Sequence, residues 1–558
     1  MYTKKMTYLF LIIAASAILL LSIAEISFTT RDLNITPFNY GNDQITKPHY
    51  QVTRTIIASI QSALVKKEDL SSIYTLSIQT QKDTLKQIYN DLPISGKKQF
   101  YDGATIQIDE KSPIKSLIKL RGDIDHHWRF PKKSFRLRSE KSNTPILFNA
   151  DQVEVISPKG SIIIGEYITS FIGKKLDLIV PDHAFANVYL NKKFLGLYQV
   201  SEPIDRNTFL QRRNLPLGSI LEAENISFTK KPGIGTSVFR APFIWENSIT
   251  HDQEEKHKQK LYELSLAIEK QDIKKLRTLI DYEYFIRLGA LMYIGQIRHW
   301  DNRHNVKLYF NEDIQKFQQI PWDATFLTRT VDNAYTGEFQ LDIISNDLII
   351  LLHKDPYFVQ QKYNYIYNLL TSGITDSIND EISKITKTLA ATQKHDYYSF
   401  YRYKKITPKI WQEKITILQK SINNSSTEFT KKIGQEQLCF LQKGQKLIIQ
   451  VNGVSSHTIT SIITTKGEEV TSKEVLSPSN KNMIFYPGRD TSNPPHAIPA
   501  PLSYQFILSE NINISTITFK NTINKVLQTL QKNDNCPDNT NATSIHPWKL
   551  SPPQKNNI

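Results

Sequence analysis

The sequence predicts a mixed α+β protein built from successive regions, and three observations carry that expectation. Short alternating apolar runs occupy the chain from about Thr105 to 240. From Asp252 onward the apolar period lengthens from two to about 3.6, and alternation returns at Lys446. At 558 residues the chain is too long for one core, and with 40% apolar residues it can fill two or three.

Residues Met6–Ala24 carry no charged side chain, a run close to the roughly 20 positions that a bilayer-crossing helix needs. Lys4 and Lys5 precede it, and Glu25, Arg31 and Asp32 follow. The positive-inside tendency therefore keeps the amino terminus in the cytoplasm and exports the rest. Residues 1–30 are expected to form an uncleaved signal anchor. A cleaved signal peptide, which would make the chain secreted, is the alternative, but the run is long and lacks a clear small-residue cleavage site. Residues 31–104 read as a polar stalk or helical lead-in, with amphipathic patterns at Thr55–Lys66 and Leu76–Leu92.

In the strand-rich region, about 105–240, strands are expected at Ile114–Leu120, Ser134–Arg138, Phe185–Leu190 and Phe194–Val200, with one helix near Ser161–Leu176. Asn191-Lys192-Lys193 supplies a hairpin turn, since Asn tolerates positive φ. The helical region, about 250–435, is expected to hold helices near 252–270, 281–298, 341–371, 376–393 and 406–433. Between the second and third, Val306–Phe310 and Phe317–Trp322 flank a polar turn and read as a single β-hairpin in helical surroundings. A strand-rich lobe beside a helical one leaves a cleft, and clefts bind ligands.

Lys446–Val451, Thr458–Thr464, Tyr504–Leu508 and Ile514–Phe519 alternate as strands of a small β-sandwich appendage over 440–525. Residues 526–558 are expected to be a disordered tail, because the Asn- and Pro-rich run past Lys532 cannot bury enough apolar surface. Cys439 and Cys536 are the two cysteines, and any bridge would tie that tail to the domain before it. The net charge of +15 suits an anionic partner, yet the basic residues are dispersed among 54 acidic ones. No nucleic-acid motif stands out, so nucleic acid is not the expected partner.

The residues with chemical potential gather around the hairpin. Asn305 stands at the mouth of its first strand and Asp323 closes the second, so the fold-back should bring them together. Asp301 lies just upstream, where His299-Trp300-Asp301 is read as a helix end. Two hard oxygen ligands and a carboxylate at one spot suit phosphoryl transfer from a magnesium nucleotide. The order Asp, Asn, Asp matches the protein-kinase order, with Asp-x3-Asn one residue shorter than the kinase catalytic loop. The plain alternative is a turn and a strand end, roles that Asp and Asn also favour. His304 is expected to pack in the loop.

A second cluster is Arg121-Gly122 followed by Pro131-Lys132-Lys133-Ser134-Phe135-Arg136. Strand alternation places Lys133 with Phe135 and Leu137, and Lys132 with Arg136 and Arg138. A lysine on an apolar face needs an anion, which nucleotide phosphates would supply, while a solvated basic strand is the bland reading. Asp123, Asp125, His126 and His127 look like a metal cluster only superficially, since their spacing matches no standard site.

Leu120-Arg121-Gly122, Pro131 to Leu137, Val188-Tyr189-Leu190-Asn191 with Gly196-Leu197-Tyr198 and Glu202, His304-Asn305 with Tyr309, and Ile320-Pro321-Trp322-Asp323 together resemble the CotH (spore coat protein H) kinase family in identity and order, over roughly residues 105–330. The resemblance implies a bilobal, atypical protein-kinase-like fold over 105–435 that uses ATP with Mg2+ or Mn2+. It implies Asp301 as the catalytic-loop aspartate, Asn305 and Asp323 as metal ligands, Lys132 or Lys133 as the phosphate-binding lysine, and Arg121 and Glu202 as further nucleotide-binding residues. Gly196–Glu202 would lead into the hinge beside the adenine, and Glu166 is a candidate ion-pair partner of the lysine. The chain departs from the family in two places. Trp322-Asp323-Ala324-Thr325-Phe326 lacks an acidic residue two positions after the aspartate, and Asp123-Ile124-Asp125-His126-His127 replaces an Asn/Ser-rich loop. The expected function is an exported protein Ser/Thr kinase, membrane-anchored by one helix, acting on a cell-envelope or secreted protein. The alternatives are a catalytically inactive surface scaffold or adhesin, and a kinase acting on a cell-envelope glycan.

Overall fold

A computed structural model describes residues 57–532, apart from 92–97, 123–126, 128–131, 143, 159–161, 205–206, 224–236, 250–253, 325–338, 402–403, 436, 471–483, 487, 493–497, 501 and 509–511. The expected membrane span Met6–Ala24, Asp123, Asp125 and His126, Cys536 and the tail from 533 lie outside the described residues. Among the described residues no helix is long and apolar enough to cross a membrane.

The protein is mixed α+β. Its elements run β1 (Tyr74–Thr80), α1 (Lys82–Asn90), β2 (Tyr101–Ile108), β3 (Ile114–Leu120), β4 (Phe135–Ser139), β5 (Gln152–Ile156), α2 (Gly165–Lys175), β6 (His183–Leu190), β7 (Lys193–Ser201), α3 (Asn207–Gln211), β8 (Ile220–Ala223), β9 (Glu246–Ile249), α4 (Glu254–Glu269), α5 (Ile273–Leu279), α6 (Tyr282–Gly295), β10 (Val306–Asn311) and β11 (Lys316–Gln319). There follow α7 (Asp347–His353), α8 (Pro356–Thr371), α9 (Ile374–His395), β12 (Phe400–Tyr401), β13 (Lys404–Lys405), α10 (Pro408–Ile433), β14 (Gln437–Lys443), β15 (Lys446–Asn452), β16 (His457–Thr464), β17 (Glu469–Val470), β18 (Ile484–Phe485), β19 (Gly488–Asp490), β20 (Ile498–Ala500), β21 (Leu502–Ile507), β22 (Ile514–Asn521) and β23 (Leu527–Gln531).

Two compact units divide these elements. The first holds the residues through Ile163, Asp182–Pro203 and Ser383–Ile415. Seven of its strands close a barrel in the order β1-β2-β3-β4-β5-β7-β6, and β12 and β13 pair separately. Closure comes from β6, which returns to pair in parallel with β1 through Leu76↔Val188, so the barrel leaves no open edge. Alternate residues Leu76, Ile78, Ile118, Phe135, Leu137, Val153 and Val155 fill its core. The barrel starts earlier than the sequence indicated. Tyr74–Thr80, within the span expected as a helical lead-in, is a strand, because Leu76 and Ile78 alternate over too few residues to show their period against the helix that follows. Asn191 at φ +49° and Lys192 at φ +68° make the expected turn between β6 and β7.

The second unit holds Ile164–Pro181, Ile204–Ile382 and the chain from Thr416. Helix α6 is buried on almost every side, as a central core helix must be, and Asp281 caps its start by accepting from the Tyr284 N–H. The hairpin β10–β11 forms as expected, with Leu308↔Gln319 and Phe310↔Phe317 paired. It is not isolated, however: β10 also pairs with β8, giving a four-stranded sheet in the order β11-β10-β8-β9. The two added strands have four residues each, too short to carry a period of their own. The helix expected over 341–371 is broken in two, because Asp355 caps a new helix whose first residue is Pro356.

Two sheets, β14-β15-β21 and β17-β16-β22-β23 with β18 beside β16, share one core around Phe440, Ile449, Ile462, Phe485, Ile517 and Phe519. This sandwich takes in β23, whose residues are expected in the tail. A polar clasp joins it to the helices of the same unit. Gln360 on α8 donates to Thr522 Oγ1 at 2.6 Å and accepts from the Ser456 hydroxyl at 2.5 Å.

Candidate active site

The loop between α6 and β10 carries the hairpin-associated residues. Helix α6 ends at Gly295 with Gln296 left-handed, so His299-Trp300-Asp301 lies on the loop and not at a helix end as expected. The apolar period had suggested a longer helix, but Gln296 at φ +46° turns the chain away. Trp300 is fully buried, and its indole N–H donates to the Trp322 carbonyl at 2.6 Å. That bond fastens the loop to the segment leaving β11.

His299 connects the two expected metal ligands. Its Nδ1–H donates to the Asp323 carbonyl at 2.7 Å, and Nδ1 lies 3.6 Å from the Asp323 carboxylate. The Asn305 amide nitrogen lies against the same ring, 3.1 Å from Nδ1 and 3.3 Å from Nε2. One imidazole therefore brings Asn305 and Asp323 to a common spot, as the hairpin geometry demanded. Both residues are left-handed, at φ +63° and +47°, a backbone region that Asn and Asp tolerate better than most side chains.

Asp301 Oδ1 accepts from the N–H groups of Arg303 at 2.7 Å and His304 at 3.2 Å, and from His304 Nδ1 at 2.9 Å. Burial would raise this carboxyl, but the His304 ring and the two backbone donors hold it below the usual carboxylate range. Its other oxygen takes no hydrogen bond from a described residue. His304 thus packs within the loop, as the sequence reading had it.

Asn305 and Asp323 offer oxygen donors of the kind magnesium takes. Asn305 is buried, its amide N–H groups face His299, and its Oδ1 takes no hydrogen bond from a described residue. Asp323 adds a partly exposed carboxylate. Among the described residues no group of three or more His, Cys, Asp or Glu side chains is arranged to hold a metal. Magnesium bound to substrate phosphates usually takes only one or two protein carboxylates.

The basic cluster lies in the barrel unit and departs from expectation. Strand β4 begins at Phe135, so its alternation does not reach back to the lysines, and it is Lys132 that is buried while Lys133 is half-buried. Lys132 Nζ donates to Asp396 Oδ2 at 2.5 Å and to the Leu197 carbonyl at 2.6 Å, and sits over the Tyr198 ring. Burial pushes this ammonium down from its ordinary value while Asp396 pulls it up. The carboxylate partner of Lys132 is therefore Asp396. Asp396 is missed by sequence reasoning because it stands 264 residues away, just past α9. Gly196 is the local signal that was available: at φ +108°, a Cβ there would lie 2.3 Å from the Asp396 carboxylate.

Lys133 Nζ lies over the Tyr89 ring at 5.0 Å. Arg121 donates to Glu154 at 2.8 Å and lies 3.2 Å from His127 Nε2. His127 is buried, with its other ring nitrogen 3.2 Å from the Ser134 hydroxyl, the partner set of a structural histidine. Glu202 is buried directly after β7 and accepts from the Asp182 N–H at 3.1 Å. The chain passes from the first unit to the second just beyond it, after Pro203.

A family model described as CotH kinase protein matches residues 118–428, more than half of the chain. A search of curated proteins finds no match.

Proposed function

The chain belongs to the CotH kinase family, and from that membership we propose that it is an exported protein Ser/Thr kinase moving the γ-phosphate of ATP to a cell-envelope or secreted protein. The reading includes a bilobal, kinase-like architecture over about 105–435, with Met6–Ala24 as a single membrane anchor and the bulk of the chain outside the cytoplasm. The observation that carries it is the placement of Asn305 and Asp323 on one imidazole, with the open carboxylate oxygen of Asp301 in the same loop.

Asp301, held ionised by its local donors, orients the acceptor hydroxyl through Oδ2 and takes its proton as the hydroxyl oxygen bonds to phosphorus and ADP leaves. Asn305 and Asp323 would hold Mg2+ or Mn2+, which when bound supplies positive charge against the phosphates. His299 lies against the Asn305 amide and holds the Asp323 main chain. Of the two lysines, Lys133 has surface access and is assigned to the nucleotide phosphates, while Lys132 is engaged by Asp396. Arg121 and Glu202 are assigned to the nucleotide as well, each alongside the contact it already makes.

The test is transfer of labelled phosphate from ATP by the purified full chain, to itself and to a basic test protein. Metal-dependent labelling that is lost in Asp323→Ala and Asp301→Asn is expected. Absence of metal-dependent nucleotide binding by calorimetry would overturn the reading in favour of a surface scaffold. Labelled sugar in place of labelled protein, read by mass spectrometry, would move the acceptor to an envelope glycan.

A further inference from the structure

We infer that Asn302 and Asp347 are positioning residues, a reciprocal pair that sets the loop carrying Asp301 in its working place. The inference rests on the reading of Asp301 as the catalytic carboxylate. The three donors to Asp301 Oδ1 come from its own turn, residues 303 and 304, so they move with the loop and cannot locate it. Its location comes from the residues on either side: the Trp300 indole holds Trp322 and the Val238 N–H donates to the Asn302 carbonyl, while both residues also meet two consecutive residues at the start of α7. Asn346 Nδ2 donates to the Trp300 carbonyl at 2.8 Å. Asn302 Nδ2 donates to Asp347 Oδ1 at 3.1 Å, and Asn302 Oδ1 accepts from the Asp347 N–H at 2.8 Å.

Asn302 is further fixed by Ser237, whose hydroxyl donates to Oδ1 at 3.0 Å. Asn346 is fully buried and Asp347 nearly so, which makes these bonds stiff and costly to break. Arg240 also donates to Asp347 Oδ2, but its side chain is 66% exposed, so water screens that ion pair and it adds little. None of these side chains bonds to Asp301, Asn305 or Asp323, which separates positioning from chemistry.

Asn302→Asp sets two carboxylates against each other where a donor had met an acceptor. It should lower kcat about 100-fold, the cost of a displacement near 1 Å, and leave the KM for ATP within about 2-fold. The exchange Asn302→Asp with Asp347→Asn restores donor and acceptor in reversed order and should return kcat to within about 3-fold of the unmodified chain. Deuterium uptake of the 299–305 segment, faster in the single variant and normal in the exchange, reads the placement without any activity. Unchanged kcat and uptake in Asn302→Asp, with the unmodified chain active, would overturn the pairing role alone. An unmodified chain that transfers no phosphate would instead remove the reading of Asp301, and with it the premise. If Asn302→Asp does not fold, Asp347→Ala removes the acceptor without creating repulsion. Lower kcat at constant KM then supports the pair, and unchanged kcat refutes it.

Discussion

Replacing Glu154 by Gln takes away a carboxylate shared by Arg121 and Arg136, leaving two guanidiniums that are 11% and 23% exposed against a neutral amide. Burial alone would raise the Glu154 carboxyl, yet the two arginines hold it at about 2, against an ordinary 4.5. A depressed acid of this kind adds stability that is complete above the unfolded value and fades as pH falls toward the folded one, here from 4.5 to about 2. At roughly 1.4 kcal/mol per pH unit the pH-dependent part is about 3 kcal/mol, and at 1% exposure no solvent discount applies. The assay is urea titration of the full chain with pulsed hydrogen exchange of peptides covering β3–β5, so that the barrel is read apart from the second unit. The variant should fall below the unmodified chain by at least that amount near neutral pH, and the difference should shrink by about 3 kcal/mol as pH approaches about 2. A difference that stays constant across the window would refute the reasoning.

Three further outcomes follow from the same geometry. Lys132→Met strands the buried Asp396 carboxylate and should cost the barrel unit about 3–5 kcal/mol by the same exchange assay, whereas Lys133→Met should cost far less and raise the KM for ATP. Gly122→Ala is strained twice, at φ +87° and by a Cβ 1.9 Å from the His127 ring. It should destabilise the barrel by about 1–3 kcal/mol, measured alongside Gly444→Ala, where a Cβ meets nothing within 4 Å. His457 is buried in the sandwich, and burial lowers its pKa from 6.5 to about 4. The unfolded chain therefore takes up this proton first, and stability complete above pH 6.5 drains away as pH falls toward about 4. His457→Gln should flatten the sandwich's melting profile across that window.

How far the sequence could be read depended on whether the deciding force was local. The turn at Asn191-Lys192, the strand Ile114–Leu120 and the β10–β11 hairpin were legible because residue type and period specify them within a few positions. The convergence of Asn305 and Asp323 followed from the hairpin, and the contacts of His299 agree with it. What escaped was set by distant partners. Strands β8 and β9 exist because β10 offers an edge, Lys132 turned inward because Asp396 awaits it, and Tyr74–Thr80 is a strand because β6 returns to close the barrel. Alternation does not govern Lys132 and Lys133, because both precede the strand.

The clasp of Gln360, Ser456 and Thr522 bears on how such a chain can be rearranged by recombination. The amide on α8 is 3% exposed and reaches hydroxyls on two separate segments of the sandwich. A replacement module joined after Ile433 would have to present hydroxyls at both places. Without them the amide keeps Asn364 on its own helix but loses both hydroxyls, so exchanging the carboxy-terminal sheets alone would cost stability at this seam.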